Sequence, residues 1–113
     1  MPTFRQGDIV KVPFRYTDRP VRQYRPALVI SDEGMATAQG LLWVSMITSA
    51  ENRGWPGDVP VSNLGTAGLP APSIVRTAKI ATIDASDATR IGRLSAAPLK
   101  KAIGNVCREI GCS

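Results

Sequence analysis

Apolar and polar positions alternate near the start of the chain in the pattern of a half-buried strand. Val10, Val12 and Phe14 are apolar, with Lys11 and Pro13 between them. Because proline cannot donate a hydrogen bond to a neighbouring strand, Pro13 predicts an edge position or a bulge. Residues 26–30 (PALVI) are apolar without interruption, which predicts a strand buried on both faces.

Four more segments have strand character, and turns rich in Gly and Pro separate them. These strands are predicted over residues 41–49, 58–61, 74–83 and 91–94. Between them, residues 32–40 (with a short helical piece), 50–57 and 62–73 are predicted turn or loop segments. In the long strand, Arg76 and Lys79 have opposite parity, so either one base faces inward or the strand bulges or breaks between them.

Helical spacing replaces strand spacing at the C-terminal end. Ser95 suits the N-cap, Pro98 falls in the first turn, and Gly111 suits the helix terminus. Apolar residues then recur at the spacing of one helix face: Leu99, Ala102, Ile103, Val106, Cys107 and Ile110. The whole pattern predicts one domain over residues 1–113, mainly β with a C-terminal helix, built as a small, strongly bent sheet or barrel.

Charge is the first indication of function. The formal net charge is +5, which favours polyanionic partners such as nucleic acid. Basic residues cluster just before the buried strand, at Arg15, Arg19, Arg22 and Arg25. Pro26 favours an extended backbone at Arg25, so we expect this guanidinium to face outward at the mouth of the strand. A solvated arginine at a strand end is the alternative.

Composition excludes several kinds of site. The chain has no histidine, which removes the Ser-His-Asp and Cys-His arrangements. Its scattered acids and its two late cysteines, Cys107 and Cys112, predict neither a metal site nor a disulfide framework, and we expect no cofactor and a reducing, cytoplasmic compartment. No apolar run reaches about 18 residues, so no membrane span is predicted. Arginine, hydroxyls and aromatics remain, a set that suits charge neutralisation on a polyanion.

Four blocks of the sequence, in order, resemble MazF/PemK-type toxins of type II toxin-antitoxin systems. They are GDIV (7–10) with RPALVIS (25–31), the pair at 48–49, residues 74–84, and IGRLS (91–95). The resemblance implies an SH3-like small β-barrel that forms a homodimer. It also implies an endoribonuclease, an mRNA interferase that cleaves single-stranded RNA at selected sequences without metal and is neutralised by a cognate antitoxin.

The resemblance also implies a set of site residues. Arg25 matches the catalytic arginine, Thr48 the threonine that holds the scissile phosphate, and Arg76 an arginine of the PemK-like branch. The aspartate of that branch is replaced by Ala78 here, so the general base stays open. The candidate RNA contacts are Arg19, Arg22, Tyr24, Ser49, Trp55 and Lys79. For Trp55, closure of one end of the core is the alternative.

The implied reaction is attack of the ribose 2′-OH on the adjacent phosphorus, which gives 2′,3′-cyclic phosphate and 5′-OH ends. Arg25 and Arg76 would hold the non-bridging oxygens, and Thr48 would donate to the same phosphate. Two other functions stay open. One is a poison of DNA gyrase, since CcdB-like proteins resemble the same barrel. The other is a passive single-strand binder in which Tyr16, Tyr24 and Trp55 stack on bases.

Overall fold

The computed structural model describes residues 4–15, 22–52 and 54–112, without the side chains of residues 14, 15 and 22. Six strands are present in this part of the chain: β1 Asp8–Arg15, β2 Arg22–Val29, β3 Leu41–Ser49, β4 Val59–Pro60, β5 Ser73–Asp84 and β6 Thr89–Arg93. Three α-helices accompany them: α1 Glu33–Gln39, α2 Leu64–Ala67 and α3 Ala96–Ile110. Short 3-10 turns cover Ala50–Asn52 and Ala85–Asp87.

The strands form one antiparallel sheet in the order β4-β5-β3-β2-β1-β6. The sheet curls into a half-barrel, and α3 packs against β5 and β4. This confirms the prediction of a mainly β fold with a C-terminal helix. It also confirms the third strand, whose bounds match those expected from its apolar residues.

A register shift bends the long strand β5. Ser45 of β3 pairs with Ile80, but Ile47 pairs with Val75, so one residue of β3 faces four residues of β5. Extra residues on one strand make it bend and twist more strongly. The shift spans residues 76–79, which confirms the break that the opposite parity of Arg76 and Lys79 predicted.

The first two strands correct two expectations. β1 lies between β2 and β6, so it is not an edge strand, and its irregularity against β6 falls between Ile9 and Val10. The proline is tolerated because pairing with β6 ends at Lys11, two residues before Pro13. β2 also starts earlier than expected, because its pairing with β1 extends to Arg22. Arg25 therefore lies inside this strand and not at its mouth.

Both faces of the sheet are covered, and the buried strand contributes to each. Leu28 packs in a cluster that includes Ala102 and Val106 of α3. Ala27 and Val29 pack in a second cluster on the opposite face. Ala27, Leu28 and Val29 have no solvent exposure, as predicted for a strand buried on both sides.

The segment predicted as a loop over residues 62–73 contains the short helix α2, which packs very closely on β6. Asn63 caps this helix by accepting a hydrogen bond from the backbone N–H of Thr66 at 3.1 Å. Gly68 ends it with a φ of +72°, and a Cβ at Gly92 would lie 2.3 Å from the carbonyl oxygen of Ala67. The contact between α2 and β6 is therefore one of backbone on backbone, which only glycine permits.

Replacement of glycine by alanine should have opposite effects on stability at Gly92, which makes this contact, and at Gly104, which does not. Gly92→Ala should lower the free energy of unfolding by about 1–3 kcal/mol, because the new methyl group overlaps α2. Gly104→Ala is the matched control, since it lies in α3 with no atom within 4 Å of an added Cβ. It should raise stability by about 0.5–1 kcal/mol. Urea unfolding of both variants checks the prediction, and equal stability of the two would contradict it.

Candidate functional site

A cleft of about 680 Å³ opens beside the middle of β2 and the end of β3. The strands contribute two basic and two hydroxyl residues to its lining: Lys11, Arg25, Thr48 and Ser49. The opposite wall comes from α2 and residues 68–73, with Ile91 of β6. The cleft therefore has a cationic, hydrogen-bonding side and a largely apolar side.

Strand register brings the polar residues of the cleft together. Ala27 of β2 pairs with Met46 of β3, and the same register carried two residues further brings Arg25 level with Thr48. In the β1–β2 hairpin, Lys11 pairs with Pro26, the neighbour of Arg25. The arrangement thus depends on pairings between strands that are distant in sequence.

Lys11 is a cleft residue that the sequence pattern alone did not single out. It stood in the pattern as one of the polar positions that alternate with the apolar residues of the first strand. Nothing in that local pattern distinguishes it from a solvated surface lysine. It is found only from its place in the cleft lining, where it pairs with Pro26 across the β1–β2 hairpin.

Arg76 is not among the residues that line this cleft in the described part of the chain. Its guanidinium forms a two-point ion pair with Asp58, from Nε to Oδ1 at 3.3 Å and from Nη2 to Oδ2 at 3.1 Å. Nη2 also donates to the backbone carbonyl of Asn52. The Arg76 side chain is only 11% exposed. The structure thus unites Arg25, Thr48 and Ser49 but places Arg76 in a separate network.

Asp58 is the centre of that network and was also missed from the sequence. Besides Arg76, its Oδ2 accepts hydrogen bonds from the backbone N–H groups of Trp55 at 3.1 Å and Gly54 at 3.3 Å. Burial opposes ionisation of this carboxyl, but the hydrogen bonds from Arg76, Trp55 and Gly54 and the Arg76 charge outweigh burial and lower the pKa of Asp58. The ionised carboxylate therefore holds the loop before β4 against β5.

One residue joins the network to the cleft. The Nδ2 group of Asn52 donates to Oγ1 of Thr48 at 3.1 Å, while its carbonyl accepts from Arg76. Asn52 ends the 3-10 turn that follows β3. The geometry of Thr48 is therefore connected, through one residue, to the ion pair between Arg76 and Asp58.

The exposed candidates lie around these two features. Tyr24 on β2 is 62% exposed. Trp55 is 49% exposed and lies over Arg76, whose guanidinium carbon is 4.4 Å from the ring centroid. Trp55 belongs to neither core cluster of the described residues, so it does not close the end of the core.

The remaining candidates lie on β5 or outside the described side chains. Lys79 is an exposed residue of β5. Tyr16 and Arg19 lie outside the described residues, as does the side chain of Arg22.

Within residues 4–15, 22–52 and 54–112, no group of three or more Cys, Asp and Glu side chains is placed to hold a metal ion. Within the same ranges, no helix has the length and apolar character needed to cross a membrane.

Comparison with known proteins identifies the family. The family model described as PemK-like, MazF-like toxin of type II toxin-antitoxin system matches residues 5–108. The chain belongs to this toxin family. The search of curated proteins gave no match.

Several solved structures are similar to this toxin over most of its length. A MazE–MazF structure from Deinococcus radiodurans has a TM-score of 0.81 at 22% identity and covers 99% of this chain and 100% of its own. A structure described as an Mtb toxin is 32% identical, with a TM-score of 0.59, and covers 83% of this chain and 98% of its own. A mycobacterial endoribonuclease in complex with its cognate antitoxin has a TM-score of 0.76 at 15% identity, over 100% and 98% of the two chains.

The ion pair at Asp58 predicts a pH-dependent contribution to stability. The folded pKa of Asp58 lies below the ordinary value of 3.8, so its stabilisation is complete above that value and is lost as the pH falls through the folded pKa. Asp58→Asn should lower the free energy of unfolding at pH 7 by about 1.5–3 kcal/mol, the scale of hydrogen bonds to charged groups.

Urea unfolding at several pH values between 7 and 3 checks this prediction. The difference between wild type and Asp58→Asn should narrow below pH ~4, where Asp58 of the unfolded wild-type chain begins to take up a proton while the folded carboxylate is still ionised. Asp87→Asn, at an exposed position, is the control and should change stability little at any pH. A wild-type advantage over Asp58→Asn that stays constant down to pH 3 would contradict the account.

Proposed function

We propose that this toxin is a metal-independent endoribonuclease that cleaves single-stranded RNA at selected sequences. The observation that carries the proposal is the convergence of Arg25 and Thr48, with Lys11 and Ser49, on one side of an open cleft. A phosphodiester placed there lies among two basic and two hydroxyl residues. These groups are the ones that stabilise the additional negative charge of a pentavalent phosphorus.

The chemistry follows from the donors in the cleft. The ribose 2′-oxygen bonds to phosphorus as it loses its proton, the bond to the 5′-oxygen breaks, and that oxygen takes up a proton. The products are a 2′,3′-cyclic phosphate and a 5′-OH end. Arg25 holds two non-bridging oxygens with its planar fork, and Thr48 donates to the same phosphate. Because a guanidinium does not readily give up its proton, the role of Arg25 is mainly electrostatic.

Arg76 has a supporting role in this proposal. Its guanidinium already bonds Asp58 and the Asn52 carbonyl, so contact with the scissile phosphate would require it to leave a two-point ion pair that is mostly shielded from solvent. We therefore assign Arg76 to holding the loop that ends at Asp58. Lys11 is then the other basic residue that lines the cleft with Arg25.

The exposed groups around the cleft suit the nucleotides on either side of the cut. Tyr24 and Trp55 offer aromatic surfaces on which bases can stack, a contact that every base can make. Ser49 and Lys79 add a hydroxyl and a positive charge. Arg19 and Arg22 remain proposed phosphate contacts in the basic segment before β2.

Solved structures of similar proteins support a proposal about the partners of this toxin. Structures of MazE–MazF and of an endoribonuclease with its cognate antitoxin share its fold, and we propose a cognate antitoxin, a homodimer and a cytoplasmic site of action here. A dimer doubles the net charge of +5 along an RNA channel. Sedimentation at micromolar concentration should give twice the mass of 12.1 kDa, and a monomer alone would exclude the homodimer.

The central test is cleavage of a long RNA in excess EDTA by wild type and Arg25→Lys. Wild type should give discrete fragments that end in 2′,3′-cyclic phosphate. Arg25→Lys keeps the charge but loses the fork, so it should bind RNA nearly as well and cleave at least ~100-fold more slowly. Arg108→Lys makes the same exchange at an exposed position of α3 and should cleave like wild type.

The other outcomes separate the alternatives. RNA binding without fragments, with or without magnesium, would favour the passive binder. Neither binding nor cleavage of RNA would favour a protein target such as DNA gyrase. Cleavage that is lost in EDTA and restored by magnesium would overturn the metal-independent mechanism. Cleavage by Arg25→Lys at the wild-type rate would remove Arg25 from the reaction.

A further inference from the structure

A threonine hydroxyl has one proton to donate and two lone pairs that accept. A phosphodiester oxygen only accepts, so Thr48 stabilises the reacting phosphate only when its proton points toward the cleft. The Nδ2 group of Asn52 donates to Thr48 Oγ1 at 3.1 Å. This bond occupies the acceptor side of the hydroxyl and leaves the Thr48 proton for another partner.

Asn52 is itself held at its backbone. Its carbonyl accepts from Arg76, and Arg76 is fixed by two bonds to Asp58. The turn that Asn52 ends is anchored at its start as well. The Ala50 N–H donates to the Pro72 carbonyl at 3.0 Å, and the Glu51 N–H donates to Ser49 Oγ at 3.3 Å. The amide of Asn52 is therefore presented to Thr48 by a turn with several fixed points.

We infer that Asn52 is a positioning residue, which directs the Thr48 proton toward the phosphate by donating to the oxygen of that hydroxyl. The inference rests on the proposed RNA cleavage and adds a residue to it. The ion pair between Arg76 and Asp58 would then act indirectly in the reaction. It holds the carbonyl of Asn52 and thereby the orientation of the Asn52 side-chain amide.

Asn52→Asp is the sharpest variant because it preserves size and the backbone bond to Arg76. An ionised carboxylate cannot donate, so the hydroxyl must donate to it and the Thr48 proton turns away from the cleft. Single-turnover cleavage should slow by at least ~100-fold, as for a lost transition-state donor. Asn52→Ala removes the amide without reversing the hydrogen bond, so it should slow cleavage less than Asn52→Asp does.

The added negative charge of Asn52→Asp needs its own control, which Thr48→Val supplies. If Asn52 acts through the Thr48 hydroxyl, Asn52→Asp should slow cleavage by less than ~3-fold in a Thr48→Val background, because the group it redirects is already gone. If Asn52→Asp acts only by repelling RNA, its full effect should remain in that background. Full additivity would therefore overturn the inference.

A pH profile gives a second readout that a merely structural role would not move. Protonation of the introduced carboxylate restores a donor, so the rate ratio of wild type to Asn52→Asp should shrink as the pH falls from 7 toward ~4. The ratio for Asn52→Ala should stay constant. Melting temperatures confirm that each variant is folded at the pH used. A ratio for Asn52→Asp that is flat with pH would also contradict the inference.

Failure of the inference is distinct from failure of the proposed function. Wild-type cleavage that Thr48→Val slows, together with wild-type rates in Asn52→Asp, removes Asn52 alone. No cleavage by wild type removes the proposed function, and the role of Asn52 with it.

Discussion

The pairing of β3 between β2 and β5 is the constraint on which the rest of this toxin depends. On one side, β3 pairs with residues 27–29 of β2, which have no solvent exposure, and the same register continued by two residues sets Arg25 opposite Thr48. On the other side, β3 pairs with β5 along most of its length, and the register shift against residues 76–79 bends the sheet. The end of β3 thus carries the hydroxyls of the cleft at the place where the sheet turns.

The same constraint separates the basic residues into two groups with different surroundings. Arg25 and Lys11 line the cleft. Arg76 lies on β5, where Asp58 holds it in an ion pair whose two side chains are 11% and 9% exposed. An arginine that already has a two-point carboxylate partner is a poor choice for a mobile phosphate but a good anchor for a loop. Asn52 connects the two groups, because its carbonyl accepts from Arg76 and its side-chain amide donates to Thr48 in the cleft.

Much of the fold could be predicted from local pattern, because strand and helix periodicities are local. The bounds of β3, the helix between Ser95 and Gly111, and the irregularity between Arg76 and Lys79 all followed from residue spacing. The helix α2 could not, because it is short and is held by the close backbone contact of Gly68 and Gly92 with distant residues. The full length of β2 depends likewise on its pairing with β1.

The candidate site was harder to predict for the same physical reason. Arg25, Thr48 and Ser49 were expected from the family resemblance. Lys11, Asn52 and Asp58 become visible only when strand register and loop hydrogen bonds are known, since each looks like an ordinary surface residue in sequence. The partner of Arg76 is 18 residues away, a separation for which spacing gives no signal.

The central claim is that the cleft beside Arg25 and Thr48 binds the scissile phosphate. Sequencing of fragment ends first identifies a cleavage sequence. The most direct measurement is then a structure of the toxin bound to a short RNA that spans this sequence and lacks the attacking 2′-OH. The account predicts the phosphate within hydrogen-bonding distance of Arg25 and Thr48, with Asn52 still bonded to Thr48 and Arg76 still on Asp58. A phosphate bound by an Arg76 that has left Asp58, with Arg25 and Thr48 out of contact, would contradict it.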